Sequence, residues 1–188
     1  PSVGAVLHTI NPRLAPEHVI ATMAHAEDEI LIFHRDFLPI VERARPRLPH
    51  IRRYVVLCDD EPGGAAWVDA TYEELLDSAE PLRQLPDLDE DARATLTYTT
   101  GTTGAPKGAS FSHRQLVLHA MSLTTALAAH GNYGGIGKHD VYMPLTPMYH
   151  VHAWGMPFLA TLLGLKQVYP GRYEPAQILE LVEQEGVT

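Results

Sequence analysis

The sequence predicts an α/β fold, with mainly parallel sheets flanked by helices. Three observations carry this. Short apolar runs of strand length alternate with segments of helical period. Proline starts, Ser/Thr caps and glycine stops punctuate them. Finally, 188 residues with 45% hydrophobic content are enough for one globular core, or for two small lobes sharing one.

In order along the chain, Pro16 suits a first helical residue, and Val19, Ile20 and Met23 give that helix an apolar face. Ile30-Leu31-Ile32-Phe33 reads as a short buried strand, and Asp36 is placed to cap a second helix carrying Phe37, Leu38 and Val41. Tyr54 to Leu57 forms the next strand, with Cys58 as a packing residue at its end. Residues 59–91 hold twelve acidic residues against one base, Arg83, together with Pro62, Gly63, Gly64, Pro81 and Pro86. That composition predicts a solvated connection. Within it, Thr71-Tyr72-Glu73-Glu74 fits a capping box for a short helix anchored by Leu75 and Leu76.

The α/β pattern resumes with a strand over Ala94 to Thr99, a Gly/Thr loop and a second short strand at Ala109-Ser110-Phe111. Ser112 and Gln115 make a capping box for a long helix whose face is Leu116, Ala120, Leu123 and Leu127, and whose stop is Gly131. A flexible turn, Asn132 to Gly137, leads to the strand Val141-Tyr142-Met143. Val151 to Leu163 reads as a buried helix ended by Gly164, with Gly155 and Pro157 as points where it can break. Gln167-Val168-Tyr169 is a strand candidate, and Pro175 opens a last helix with Ile178, Leu181 and Val182 inward and Gly186 at its end. The expected division is a first lobe at 1–58, the acidic connection at 59–91, and a second lobe with the loop at 92–188.

A net charge of −9 argues against general nucleic-acid binding, which needs a basic face. No apolar run reaches the length of a membrane span. The single cysteine excludes an internal disulfide framework and fits a cytoplasmic protein. Pro1 opens no secretion signal and Thr188 follows directly on a helix, so a piece of a longer chain is expected.

The loop itself, Thr99-Thr100-Gly101-Thr102-Thr103-Gly104-Ala105-Pro106-Lys107-Gly108, has the parts a triphosphate needs. Gly101, Gly104 and Gly108 let the backbone turn its N–H groups inward. Thr99, Thr100, Thr102 and Thr103 supply hydroxyls, and Lys107 supplies the cation. Pro106 stiffens the approach to Lys107. The string is neither G-x-x-x-x-G-K-[ST] nor G-x-G-x-x-G, so the P-loop and dinucleotide readings fail. On composition alone, a plain Gly/Thr turn between strands remains an alternative.

Tyr98 to Gly108 followed by Ser112-His113 closely resembles the signature of the adenylate-forming superfamily, which includes acyl-CoA synthetases, peptide-synthetase adenylation domains and luciferases. Met143 to Gly155, with Tyr149-His150, resembles the second core motif of that family. Asn11 to Leu14, Leu116 to His119 and Tyr169 to Gly171 look most like bacterial medium- or long-chain fatty-acyl-CoA ligases.

The resemblance implies part of the N-terminal domain of an enzyme that uses ATP, Mg²⁺, CoA and a fatty acid. The acid would be activated as an acyl-adenylate and passed to CoA. It implies that Lys107 and Thr99, Thr100, Gly101, Thr102, Thr103 and Gly104 hold ATP phosphates and that Thr100 contacts Mg²⁺. Tyr149, His150 and Trp154 would line the acyl pocket, with Lys107 and His150 as catalytic residues. The later family motifs have no counterpart here, so this stretch is expected to be inactive alone.

The other readings are an aryl-acid ligase or carrier-protein adenylation domain, and a non-catalytic nucleotide-binding module. A homodimer is left open. For Trp154, pocket lining and core packing stand level. His152 is read as packing, a His150–His152 metal pair lacks further ligands, and neither Ser110 nor Ser112 sits in a G-x-S-x-G elbow.

Overall fold

A computed structural model describes residues 1–58, 65–99, 106–129 and 135–188. The chain is α/β, and it divides into two compact units.

One unit comprises Ile10–Pro86 with Tyr98–Gly108. Helix α1 spans Pro16–Ala26, with proline in its first turn and Val19, Ile20 and Met23 buried, as the periodicity predicts. Its stop is Glu27, at φ 54° in the left-handed region, with its N–H on the Ala24 carbonyl. Strand β1 (Leu7–His8) belongs to the other unit, so the sheet here begins with β2 (Ile30–His34). In β2, Leu31 and Phe33 point into the core while Ile30 and Ile32 are exposed. The strand is therefore half-buried and alternating, where the apolar run suggests burial on both faces.

A 3₁₀ turn, Arg35–Phe37, leads into α2 (Leu38–Ala44). The cap is His34, whose Nδ1 accepts the Asp36 N–H, and not Asp36 itself. Strand β3 (Arg53–Leu57) runs parallel to β2, with Ile30 opposite Arg53 and His34 opposite Leu57. The next strand, β4 (Ala70–Thr71), lies parallel on the far side of β3.

The acidic connection therefore contributes a strand to this sheet, and Trp67 packs beside it. The Trp67 ring stacks near Phe33 at 6.0 Å, meets Tyr54 edge-on at 5.5 Å, and lies 4.7 Å beneath the Arg45 guanidinium. Buried Val19, Met23, Leu31, Phe33, Val41, Leu48 and Val56 complete the core.

Helix α3 (Tyr72–Ser78) opens with the expected capping box. The Glu74 N–H donates to Thr71 Oγ1 at 3.2 Å and the Thr71 N–H donates to Glu74 at 2.8 Å. The Thr71 backbone N–H first, and the Thr71 hydroxyl second, hold the Glu74 carboxyl below its ordinary value. Leu75 and Leu76 are exposed, so the expected apolar anchor does not form.

The other unit comprises Pro1–Thr9, Asp87–Thr97 and Ala109–Thr188. Its sheet places β5 (Arg93–Thr99) between β1 and β6 (Lys107–Ser112), with β1 parallel to β5 and Leu7 opposite Thr95. Ala94, Thr95 and Thr97 of β5 are buried. Ser112 and Gln115 form the second capping box, at 2.9 and 3.2 Å, and start α4 (His113–Ala129). Ala120 is buried and Leu116, Leu123 and Leu127 are half-buried, which is the face the spacing predicts. Gly131 and the turn as far as Gly134 lie outside the described residues.

Strand β7 (Val141–Tyr142) pairs in parallel with β8 (Lys166–Gln167). The expected strand at Gln167–Tyr169 thus lies one residue earlier and is shorter. Val168 still donates its N–H to the Tyr142 carbonyl at 2.9 Å.

The expected helix Val151–Leu163 is broken at Gly155. Only Met156–Leu162 (α5) is right-handed, with Leu159 and Ala160 buried and Gly164 following in a left-handed conformation. Helix α6 (Pro175–Glu185) ends at Gly186 as read from the sequence. Ile178 and Leu181 of α6 are half-buried and Val182 and Leu179 are exposed.

Candidate functional site

The Gly/Thr loop joins two neighbouring strands, as the sequence predicts. β5 ends at Thr99 and β6 starts at Lys107, and the Thr99 hydroxyl donates to the Lys107 carbonyl at 3.5 Å. The two ends of the loop therefore lie side by side. Thr99, Lys107 and Gly108 are exposed, so Lys107 presents its ammonium to solvent. Thr100, Gly101, Thr102, Thr103 and Gly104 lie outside the described residues. On the strand before the loop, the Tyr98 hydroxyl shares a 2.6 Å hydrogen bond with His25 Nδ1 at the end of α1.

The second segment, around Tyr149 and His150, has a different construction. Thr97 of β5, 2% exposed, donates its hydroxyl to the Tyr149 carbonyl at 3.2 Å. After His150, four consecutive non-glycine residues take positive φ: Val151 47°, His152 51°, Ala153 50° and Trp154 59°. Gly155 follows at 76°. This is a single left-handed helical turn, a conformation that costs roughly 1–2 kcal/mol per L-residue and persists only where surroundings over-determine it.

The surroundings here are identifiable. His152 is 4% exposed, sits edge-on to Phe111 at 6.1 Å and Phe158 at 6.2 Å, and has Nδ1 3.5 Å from the Thr9 hydroxyl. Its Nε2 is buried with no partner among the described residues. Burial first, and the nearby His8 second, lower the His152 pKa, so the ring is held neutral. At the far end of the turn, His119 Nε2 of α4 donates to the Trp154 carbonyl at 3.1 Å.

The expected pocket residues stand at the two ends of the turn. Tyr149 is half-buried, His150 is exposed, and Trp154 is 65% exposed. Trp154 is therefore not a core tryptophan in this chain. Four residues that matter to this geometry escape sequence reading as site residues: Thr97, His119, His152 and Gly155. Only Gly155 carries a signal, because glycine marks positive φ. Nearby, burial and then the neighbouring Tyr169 and Tyr173 push the Tyr142 hydroxyl up to about 12.

Among the described residues, no group of three or more His, Cys, Asp or Glu is placed to hold a metal. By residue chemistry, the loop would suit ATP phosphates with Mg²⁺, since its sequence offers hydroxyls, backbone N–H groups and one lysine. No helix among the described residues is long and apolar enough to cross a membrane.

The chain is similar to known proteins in sequence and in fold. The chain is 44% identical over its full length to a long-chain-fatty-acid–CoA ligase of Thermus thermophilus, covering 33% of that protein. It is 38% identical over 98% of its length to a medium-chain-fatty-acid–CoA ligase of Ectopseudomonas oleovorans, covering 34% of it. The chain thus spans about a third of the relatives it matches. In fold, 99% of the chain superposes on a Mycobacterium tuberculosis fatty acyl CoA synthetase with a TM-score of 0.74 at 19% identity, covering 33% of it. It superposes equally fully on a red-emitting luciferase of Phrixothrix hirtus with a TM-score of 0.79 at 18% identity, covering 35%. The model of the AMP-binding enzyme family matches residues 1–188, the whole chain, and the chain belongs to that family.

Proposed function

We propose that this chain is part of an acid–CoA ligase that activates a medium- or long-chain fatty acid, first as its acyl-adenylate and then as its CoA thioester. The observation that carries the reading is the loop Thr99–Gly108, strung between neighbouring strands with the Thr99 hydroxyl facing the Lys107 carbonyl. The substrate class rests on the relatives named for fatty acids.

In this reading the fatty carboxylate attacks the α-phosphorus of ATP, an oxygen–phosphorus bond forms and pyrophosphate leaves with the electron pair. The thiolate of CoA then displaces AMP. Lys107 and the hydroxyls of Thr99, Thr100, Thr102 and Thr103 hold the leaving pyrophosphate, and the glycines Gly101 and Gly104 let backbone N–H groups face it. Mg²⁺, contacted by Thr100, would neutralise charge on the phosphate oxygens. His150 lies by the carboxylate, and Tyr149 and Trp154 line the acyl chain. The cytoplasm suits a chain whose one cysteine, Cys58, is free.

A panel of acids given to the full-length parent with ATP and CoA tests this. Thioester from flexible alkyl acids in preference to benzoic-type acids supports it. Preference for aryl acids moves the enzyme to the aryl-acid branch, and transfer only to a carrier protein moves it to the adenylation-domain branch. ATP binding by calorimetry with no thioester from any acid leaves the nucleotide-binding module.

A further inference from the structure

Resting on that reading, we propose that His152 is a positioning residue of the acyl site, holding Val151–Trp154 in its left-handed turn and thereby fixing His150 at one end and Trp154 at the other.

The turn needs an explanation that its own sequence does not give. Val151, His152, Ala153 and Trp154 all have a Cβ, and all four stand at φ between 47° and 59°. A β-branched residue and a tryptophan are poor choices for that region, so the turn is imposed from outside it. Its two ends are tied by backbone carbonyls: Tyr149 to the Thr97 hydroxyl and Trp154 to His119 Nε2. Between them, the only polar side chain that reaches inward is His152.

The His152 ring is wedged between Phe111, on the strand that follows the phosphate loop, and Phe158, on α5. It faces Thr9 with one nitrogen and leaves the other buried and unpartnered among the described residues. An unsatisfied buried nitrogen costs stability. Retaining it at a strained position beside His150 fits a role in placing the turn more readily than a role in packing alone, which a leucine or phenylalanine would fill at lower cost. Because Thr97 lies on β5, two residues before Thr99, the same ties set the start of the turn against the strand that leads into the phosphate loop.

The test compares His152→Ala and His152→Asn in the full-length parent. Asparagine keeps a polar atom near the place of Nδ1, whereas alanine removes both wedge and polar group. His152→Ala is expected to raise KM for the fatty acid about tenfold or more and to flatten the chain-length profile, with KM for ATP within about twofold of the unsubstituted enzyme. His152→Asn is expected to recover most of the acid KM. An alanine variant with unchanged acid KM and profile, or with a uniform loss of kcat alone, overturns the proposal, as does an asparagine variant no better than alanine.

A second readout does not depend on the enzyme's activity. In the chain carrying Trp67→Phe, Trp154 is the single tryptophan. His152→Ala should lower its fluorescence anisotropy by releasing the turn, and unchanged anisotropy overturns the placement. If the unsubstituted parent activates no acid, the functional reading fails, while the anisotropy result still decides whether His152 holds the turn.

Discussion

Replacing Gly155 by alanine puts the construction of the left-handed turn to a quantitative test. At φ 76°, an added Cβ would stand 2.5 Å from His119 Cδ2 and 2.7 Å from His119 Nε2. The backbone part costs about 1 kcal/mol, the price of a side chain in the left-handed region. His119 is exposed and its ring can swing aside, but doing so gives up its bond to the Trp154 carbonyl, a further loss of about 1 kcal/mol. Gly155→Ala is therefore expected to destabilise the chain by about 2 kcal/mol, or about 4–8 °C in Tm for a chain of this size.

His119→Ala alone should cost about 1 kcal/mol, and the double variant about 2 rather than 3, because the bond can be lost only once. Urea unfolding of the four proteins reads all three numbers. A Gly155→Ala variant within about 0.5 kcal/mol of the unsubstituted chain would refute the backbone argument. Strict additivity of the two substitutions would refute the identification of His119 as the obstacle.

Two further outcomes follow from burial and charge. Leu159 of α5 is fully buried, and Leu159→Ala should cost about 2–5 kcal/mol by urea unfolding, a range that excludes a surface role for that helix face if it is met. Because the His152 pKa is lowered in the folded chain, the unfolded chain binds the extra proton first as pH falls. The stability His152 contributes is therefore fully present above its unfolded value of 6.5 and declines as pH falls from there through the lowered native value. Urea midpoints between about pH 7.5 and about pH 5 should fall more steeply for the unsubstituted chain than for His152→Asn, and parallel slopes would contradict the buried neutral ring.

The frame of the fold was legible where a local signal has one physical meaning. Proline at the start of α1 and α6, glycine after α5 and α6, and the two capping boxes at Thr71 and Ser112 all stand where the residues put them, because each satisfies helix-end groups within three or four residues of itself. The half-buried face of α4 follows in the same way from its period.

What was not legible depends on distant partners. Ile30 and Ile32 look like core residues, and they are exposed because the helices of that unit cover the face marked by Leu31 and Phe33. Leu75 and Leu76 are likewise exposed. Helix α1 stops at a glutamate, and the turn before α2 is capped by a histidine, neither of which propensity would choose. The left-handed turn is the extreme case. No local rule places valine, histidine, alanine and tryptophan there, and only Thr97, Thr9, Phe111, Phe158 and His119, up to 143 residues away in sequence, explain it. The place of the Gly/Thr loop between two strands was legible from the residues on either side of it, whereas the pins of the second segment come from elements that carry no motif of their own.

In the proposed function, the loop from Thr99 to Gly108 grips ATP phosphates so that a carboxylate can attack. ATP–pyrophosphate exchange by the full-length parent, with a medium- or long-chain fatty acid and compared with Lys107→Ala, tests it most directly. Acid-dependent exchange that falls about 10²–10³-fold in the variant is the predicted result. Exchange that is absent with every acid, or that survives the loss of Lys107 undiminished, would contradict it.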